Sequence, residues 1–385
     1  MSEIKVNSIK GVGASAAAIT VNNSDGTCTA NITNNLSNRN LIINGSQIID
    51  QRNSGSAVTV SNASVTHVTD RFSLYEDTDG VISAQQSTTS PDGFTKSLKV
   101  DCTTVDTSLA SSQRLVCEHR IEGNNIAHLG FGSSAAKTIT LSFYVKSNLT
   151  GTFGGSIKNS ASNRVYIFSY SISSANTWER KTITIAGDTS GTWLTTNGTG
   201  ININWGLALG SDWVGSAGSW GTSDKHGVTG QLNLLSSTDN EWLITGVQLE
   251  VGSVATDFEH RSFGDELAKC HRYCYAHITP QSGSNATIGL GTYYNSSNFF
   301  MHVPFPVTMR AAPTVVCQDS TDAFKVFRNG SNDALDEFHM ENAIFSNNNG
   351  AELVNNTDAS GTAGHGGFVR KEGGSVTTLY FSAEL

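Results

Sequence analysis

Charge is scarce in this 385-residue chain: Asp, Glu, Lys and Arg together make up 15%, against about 25% in an ordinary globular domain. Polarity is carried instead by Ser, Thr, Asn and Gly, the last numbering 38, residues that suit strands, turns and tight loops better than helices. The shortage argues against a helical enzyme and for an all-β protein. Lys and Arg nowhere cluster and the formal net charge is −9, so a phosphate backbone meets no electrostatic footprint and nucleic acid is not an expected partner. No run of about 18 apolar residues occurs, which excludes a spanning helix and membrane insertion through one. The opening Met1-Ser2-Glu3-Ile4-Lys5 lacks a signal-peptide pattern, and the expectation is a protein soluble when made.

Cysteine is equally sparse. Six, at Cys28, Cys102, Cys117, Cys270, Cys274 and Cys317, are too few and too scattered for a disulfide framework, and a reducing compartment is the default. Cys102 and Cys117 could face each other across a hairpin, although two reduced, half-buried thiols is the simpler reading. Cys270 and Cys274, spaced i, i+4 around His271 on an expected helix, give two ligands at most, and nothing nearby completes a zinc shell. No metal and no cofactor is therefore expected. A calcium ion near Asp77 and Asp79 stays open, because the full EF-hand pattern is lacking and further ligands would have to come from elsewhere.

Motifs for nucleophilic catalysis, zinc hydrolysis and phosphate binding are missing in usable context: no G-x-S-x-G, S-x-x-K or HExxH, and Gly364-His365-Gly366-Gly367 does not join a strand to a helix. Paired carboxylates are harder to exclude, since a glycosidase needs only two acids about 5–10 Å apart, and Asp70, Glu76, Asp77 and Asp79 stay open. The simpler reading of residues 75–81 is an acidic hairpin turn in which Asp79-Gly80 supplies a positive φ.

What is present is β texture. Residues 138–146, 164–172 and 180–185 alternate polar and apolar with period two, each burying one face of a sheet. Further runs at 201–209 and 242–251 are separated by Gly-, Ser-, Asn- and Asp-rich turns, the pattern of a two-sheet sandwich and most simply of a jelly roll. One helix is expected after Ser262, where Ser262-Phe263-Gly264-Asp265 is a capping pattern and Leu267, Cys270 and Cys274 form an apolar stripe. Beyond it, β-runs at 287–294, 299–303, 314–317, 324–327 and 376–381 make a second, smaller unit. The first forty residues, small and polar, cannot bury a core and read as an arm or strand donor. The expected division is 1–40 arm, 41–262 jelly roll, 263–276 linking helix and 277–385 distal β domain.

Aromatics mark the candidate contacts. Trp178, Trp205 and Trp242 lie in or beside β-runs and read as core. Trp213 and Trp220 sit in the glycine-rich stretch 210–224, where an indole can stack on the apolar face of a sugar while Asp212 and Asp224 bind its hydroxyls. The alternative is that both indoles fold back over the sheet. Tyr293 and Tyr294, beside Asn295 and Asn298, carry a similar signal in the distal unit.

Asn40-Leu41-Ile42-Ile43-Asn44-Gly45 with Gln51-Arg52, then Thr69-Asp70-Arg71-Phe72, then residues 244–262 through Gln248-Leu249-Glu250-Val251-Gly252 and Phe258-Glu259, with Glu266-Leu267, Cys270 and Arg272-Tyr273, resemble tailed-bacteriophage virion fibre proteins. The resemblance covers most of 40–276 and implies a carbohydrate-binding-module-like jelly roll closed by a short helix. Residues 307–314 and the closing Ala383-Glu384-Leu385 are similar to distal fibre domains, and Met1-Ser2-Glu3-Ile4-Lys5-Val6 resembles the start of virion appendage proteins, which implies an attachment arm. These are scaffold positions, and the resemblance brings no catalytic residue. The expectation is a non-enzymatic virion protein, assembled in the host cytoplasm: a tail fibre, homotrimeric by resemblance, that binds other virion proteins through its arm and host-surface glycan through weak multivalent contacts. A capsid head fibre or decoration protein is the alternative, and a glycan hydrolase or esterase the third reading.

Overall fold

Period-two alternation buries one side of each strand, and two such faces pressed together make the architecture found in the computed structural model. The structure describes residues 8–9, 19–21, 28–30, 38–61, 63–279, 282, 285–317, 320–340, 346–372 and 378–385. Within the expected arm it describes β1 (Ser8–Ile9), β2 (Ile19–Val21) and β3 (Cys28–Ala30), paired into a small antiparallel sheet. The rest of the arm before residue 38 lies outside the described residues.

The central unit runs through β4 (Val58–Val60), β5 (Ser64–Thr69), β6 (Phe72–Glu76), β7 (Val81–Ser87), β8 (Ser97–Thr104) and β9 (Arg114–Glu122). It continues with β10 (Ile139–Ser147), β11 (Gly151–Lys158), β12 (Val165–Ile172), β13 (Glu179–Ile185) and β14 (Thr199–Leu209). After the short β15 (Val214–Gly215), β16 (Trp220–Gly221) and β17 (Gly227–Val228) comes the long β18 (Glu241–Val251). They form two sheets, a six-stranded one ordered β13-β10-β18-β8-β7-β4 and a seven-stranded one ordered β16-β12-β11-β14-β9-β6-β5. The chain passes repeatedly from one sheet to the other, as a jelly roll requires. Between the sheets lie Phe72, Phe143, Phe153, Trp205 and Trp242, with the Trp242 Nε1 donating to the Tyr170 hydroxyl at 3.2 Å. Trp205 and Trp242 are fully buried, while Trp178 is half-buried.

One sequence reading of this unit needs correction. Residues 75–81 do not turn a hairpin: β6 pairs with β5 and β9, β7 with β4 and β8, so the segment crosses between sheets. Gly80 is not among the positive-φ residues. The crossover is tied down by the Glu76 carboxylate, which accepts from the Thr78 amide at 2.6 Å, and by Asp106, which accepts from the Asp79 amide at 3.2 Å. Cys102 on β8 and Cys117 on β9 stand on different sheets and are both free and buried, the simpler of the two readings.

Ser262 caps α1 (Phe263–His271), its hydroxyl accepting from the Asp265 amide at 3.2 Å. The helix is shorter than the expected stripe. The chain turns after Cys270, whose carbonyl takes the Tyr273 amide at 2.9 Å, and Cys274 opens a strand instead of extending the helix. That strand, β19 (Cys274–Ile278), is followed by β20 (Thr287–Tyr293), β21 (Phe299–Pro304), β22 (Thr314–Cys317), β23 (Phe324–Arg328) and β24 (Ser331–Leu335). Then come β25 (His339–Met340), β26 (Gly350–Asn355), β27 (Gly366–Lys371) and β28 (Leu379–Ser382). They build a seven-stranded sheet, β24-β23-β27-β20-β21-β26-β25, and a three-stranded one, β19-β28-β22, around a separate core that includes Phe299, Phe324, Phe338 and Phe381. Of the expected run 376–381, residues 376 and 377 lie outside the described residues.

The residues that carry the fibre resemblance form the joint between the two cores. Glu122 of β9 receives the Arg272 guanidinium in a bidentate pair (2.8 and 2.6 Å) and the Tyr273 hydroxyl at 2.7 Å. Gln51 donates to the Cys274 carbonyl at 2.8 Å and accepts from the Ala276 amide at 3.1 Å. Glu384 pairs with Arg52 at 3.0 Å and with Arg71, and the Arg71 guanidinium lies 3.6 Å over the Tyr273 ring. Arg310 donates to the carbonyls of Ala383 and Glu384, both at 2.7 Å, and to that of Asn197 at 3.0 Å. Buried charges this well paired fix a geometry more than they add stability.

Candidate functional site

Three neighbouring strands of the seven-stranded sheet alternate core and polar residues. On β9, Leu115, Cys117 and Ile121 enter the core; on β14, Ile201, Ile203 and Trp205; on β11, Phe153 and Ile157. The residues between them face outward, and the register aligns them in two transverse rows, Lys158–Asn202–Arg120 and Ser156–Asn204–Glu118. Asn204 donates to the Ser156 hydroxyl at 3.2 Å. The side-chain oxygens of Asn202 and Asn204 have no partner.

Residues 210–232 fold over part of this polar face. Gly154 permits the approach, since a Cβ there would stand 2.5 Å from the Val228 amide nitrogen. Gln231 fastens the segment, donating to the Gly206 carbonyl at 2.9 Å. Beside it a cavity of about 270 Å³ stays open, lined by Glu118, Arg120, Lys158, Asn202, Arg114, Asp224 and His226 among others.

Its electrostatics are set by a few contacts. Arg114 Nη1 lies 3.2 Å from His226 Nε2 and Lys158 Nζ lies 3.3 Å from the same nitrogen. Both cations can only donate, so toward them Nε2 accepts, while the Asp224 carboxylate lies 3.5 Å from the same nitrogen and Nδ1 is buried without a partner. Burial pushes His226 below its usual value; Lys158 and Arg114 add to that and Asp224 opposes it. Burial raises the Asp224 carboxyl, but His226 and Lys158, the latter at 2.9 Å, outweigh it and hold it down at about 2. Arg120 donates to Glu118 at 3.0 Å. Arg114 lies flat on Trp213, 3.9 Å from the ring centroid, and 4.6 Å from that of Tyr75.

Of the residues singled out in the sequence, Asp224 lines this cavity and Trp213 backs it, its Nε1 donating to the Ser112 carbonyl at 2.6 Å. Asp212 is exposed and accepts from the Ser111 hydroxyl at 2.9 Å. Trp220 has other neighbours: its Nε1 donates to the Ala186 carbonyl at 2.8 Å, and its ring meets Phe131, Trp193 and Tyr166 edge-on. The two indoles therefore do not form one platform. Tyr293 is a correction: it is 1% exposed, packed on Phe299 with its hydroxyl 2.7 Å from Asp333, and presents no surface for a ligand. Tyr294 is 76% exposed beside Phe300.

Arg114, Glu118, Arg120, Lys158, Asn202 and His226 were not singled out from sequence. The signal was there for β9, whose Arg114, Glu118 and Arg120 fall on one parity while Leu115, Cys117, His119 and Ile121 fall on the other. Asp70 is buried in the joint, accepting from the Gln51 amide at 3.0 Å. Among the described residues no group of three His, Cys, Asp or Glu could hold a metal ion, and no helix is long and apolar enough to cross a membrane. A larger cavity, about 470 Å³, lies between β5 and the β22–β28 pair, where Arg52 and His67 line it.

No protein-family model matches the chain, and no curated protein matches its sequence. Among solved structures, the enzymatically active domain of tailspike protein 4 of bacteriophage CBA120 is similar over 55% of this chain and 21% of that one, at 14% identity and a TM-score of 0.29. A family 11 carbohydrate-binding module of a Clostridium thermocellum cellulosomal cellulase aligns over 52% of this chain and 99% of that one, at 12% identity and 0.25. A family 61 module solved with β-1,4-galactotriose aligns over 56% and 99%, at 9% identity and 0.27. The chain thus spans about a fifth of the tailspike chain. At these scores the two-sheet sandwich rests on the strand order and packing described above.

Proposed function

We propose that this protein is a non-catalytic, glycan-binding appendage of a tailed-bacteriophage virion, and that the groove on the outer face of β11, β14 and β9 is where host-surface glycan is held. The observation that carries this reading is the transverse row Lys158–Asn202–Arg120, which offers charged donors and an unpartnered carbonyl oxygen on a strand-backed floor. Sugar hydroxyls both donate and accept, and such a row matches them on either role. The virion assignment comes from the fibre-like residues at the joint, and the homotrimer, the arm's attachment to other virion proteins and assembly in the host cytoplasm belong to the same proposal. Three copies of one weak groove would add by avidity what each lacks alone.

Two carboxylates, Glu118 and Asp224, do line the groove, yet a glycosidase needs one carboxyl protonated near neutral pH. Asp224 is held far below that, at about 2, and so cannot serve as that acid. This favours binding over hydrolysis. Purified protein is expected to compete with phage adsorption to host cells and to release no reducing ends from host polysaccharide. Tight binding to capsids with no competition would instead favour a head fibre or decoration protein. Turnover lost on Glu118→Gln or Asp224→Asn would overturn the non-catalytic reading.

A further inference from the structure

The groove's charge is not balanced. Each of its carboxylates already has a cation, Glu118 with Arg120 at 3.0 Å and Asp224 with Lys158 at 2.9 Å. Arg114 has no carboxylate pair among the described residues: its guanidinium meets His226, and its Nε has no partner. Two like charges, on Arg114 and Lys158, converge within 3.3 Å of one imidazole nitrogen, and the single carboxylate there, Asp224 at 3.5 Å from that nitrogen, balances one of them and leaves the other for an incoming anion. This cluster stands in a chain of net charge −9, so the excess of cations is local to the groove.

The groove also lacks the usual means of holding an uncharged sugar. Among the described residues no Phe, Tyr or Trp lines the cavity, and Trp213 beside it already has the Arg114 guanidinium over its ring. Stacking on a ring face is therefore replaced by charge-assisted hydrogen bonding, which is stronger per contact and selects for a charged partner.

From these contacts we infer that the groove takes an acidic glycan, the anionic group of one sugar residue lying against Arg114 and Lys158 while its hydroxyls reach Asn202 and Arg120. This rests on the glycan-binding reading and names the class of glycan. A uronate carboxylate and a sulfate ester share the necessary chemistry. Arg114, braced between the Tyr75 and Trp213 rings, is pre-oriented for either.

The test is calorimetric titration of the full chain with oligosaccharides of matched length: oligogalacturonate, sulfated dextran and unsubstituted dextran. At least one acidic oligomer is expected to bind about ten-fold tighter than the neutral one at low salt, and which one does so identifies the anionic group. That advantage is expected to shrink as sodium chloride is raised from about 0.05 to 0.5 M. Arg114→Gln and Lys158→Gln are each expected to remove most of that advantage of the acidic oligomer over the neutral one. The salt series uses the unaltered protein, so it decides the matter even if a variant folds poorly. Neutral and acidic oligomers binding alike, without salt dependence, would overturn the acidic class and leave the glycan-binding reading standing. No binding of any oligomer by folded protein, together with no competition for phage adsorption, would overturn both.

Discussion

Trp213 and Trp220 lie seven positions apart in one glycine-rich segment, and their environments prescribe opposite outcomes on truncation. Trp220 closes an aromatic cluster with Phe131, Trp193 and Tyr166, so Trp220→Ala is expected to lower unfolding free energy by about 2–3 kcal/mol in urea titrations and to leave glycan affinity almost unchanged. Trp213→Ala removes the ring beneath Arg114. It should weaken acidic-glycan binding by roughly three- to ten-fold through a cation–π loss of about 1 kcal/mol, with a smaller effect on stability. Sequence could not separate the two indoles, because neither sits in an alternating run and each one's partners come from distant strands. Tyr293 misled for a related reason: its parity on β20 points it inward, and the half-buried Asp333 that accepts from its hydroxyl comes from β24.

Among the elements, the long alternating strands were legible, and so was α1, whose start is set by the Ser262 hydroxyl. What sequence hid was pairing. The Asp79-Gly80 dipeptide looks like a hairpin, but whether β7 returns beside β6 or crosses to the other sheet is decided by which apolar faces meet, a long-range matter. The groove follows the same logic: β9 announces its charged parity, while Lys158 and Asn202 join it only through register. Two glycines give tests at this scale. Gly246, at φ +61, sits where β18 slips register against β10, and a Cβ there would come within 2.7 Å of the Phe94 ring. Gly246→Ala is expected to lower the urea midpoint by an amount equivalent to about 1–3 kcal/mol. Gly154→Ala should lift residues 226–231 off the sheet, costing glycan affinity while the sandwich still unfolds as one transition.

At the scale of the whole molecule, two cores meet through a charged joint, and pH reaches it. His67 is held down to about 4 by burial, with Arg52 and Arg71 adding to the effect and Glu384 opposing it. Burial raises the Glu384 carboxyl, but Arg71, His67 and Arg52 outweigh it and hold it at about 2. As pH falls from about 6.5 to 4, the unfolded chain takes a proton on His67 that the folded protein refuses. Between about 4.3 and 2 the unfolded chain likewise protonates Glu384 first. Both act in one direction: stability is full above about pH 6.5 and declines on acidification. The thermal midpoint should therefore drop between pH 7.5 and 4.5, and His67→Gln should flatten that stretch; an unchanged slope in the variant would assign the loss to other groups. Glu384→Gln leaves the buried Arg52 and Arg71 without their carboxylate. A cost on the order of 3 kcal/mol is expected, with the calorimetric transition separating toward two.

Arg120 belongs to both places. One arm of its guanidinium holds Glu118 in the groove, another donates to the Leu385 carbonyl, and its own carbonyl receives Arg71. Tension on the distal core would draw on the same side chain that borders the groove. Anything held in the groove and any load on the distal core would thus meet in one residue, which would make mechanical force a variable in how long such a complex lasts.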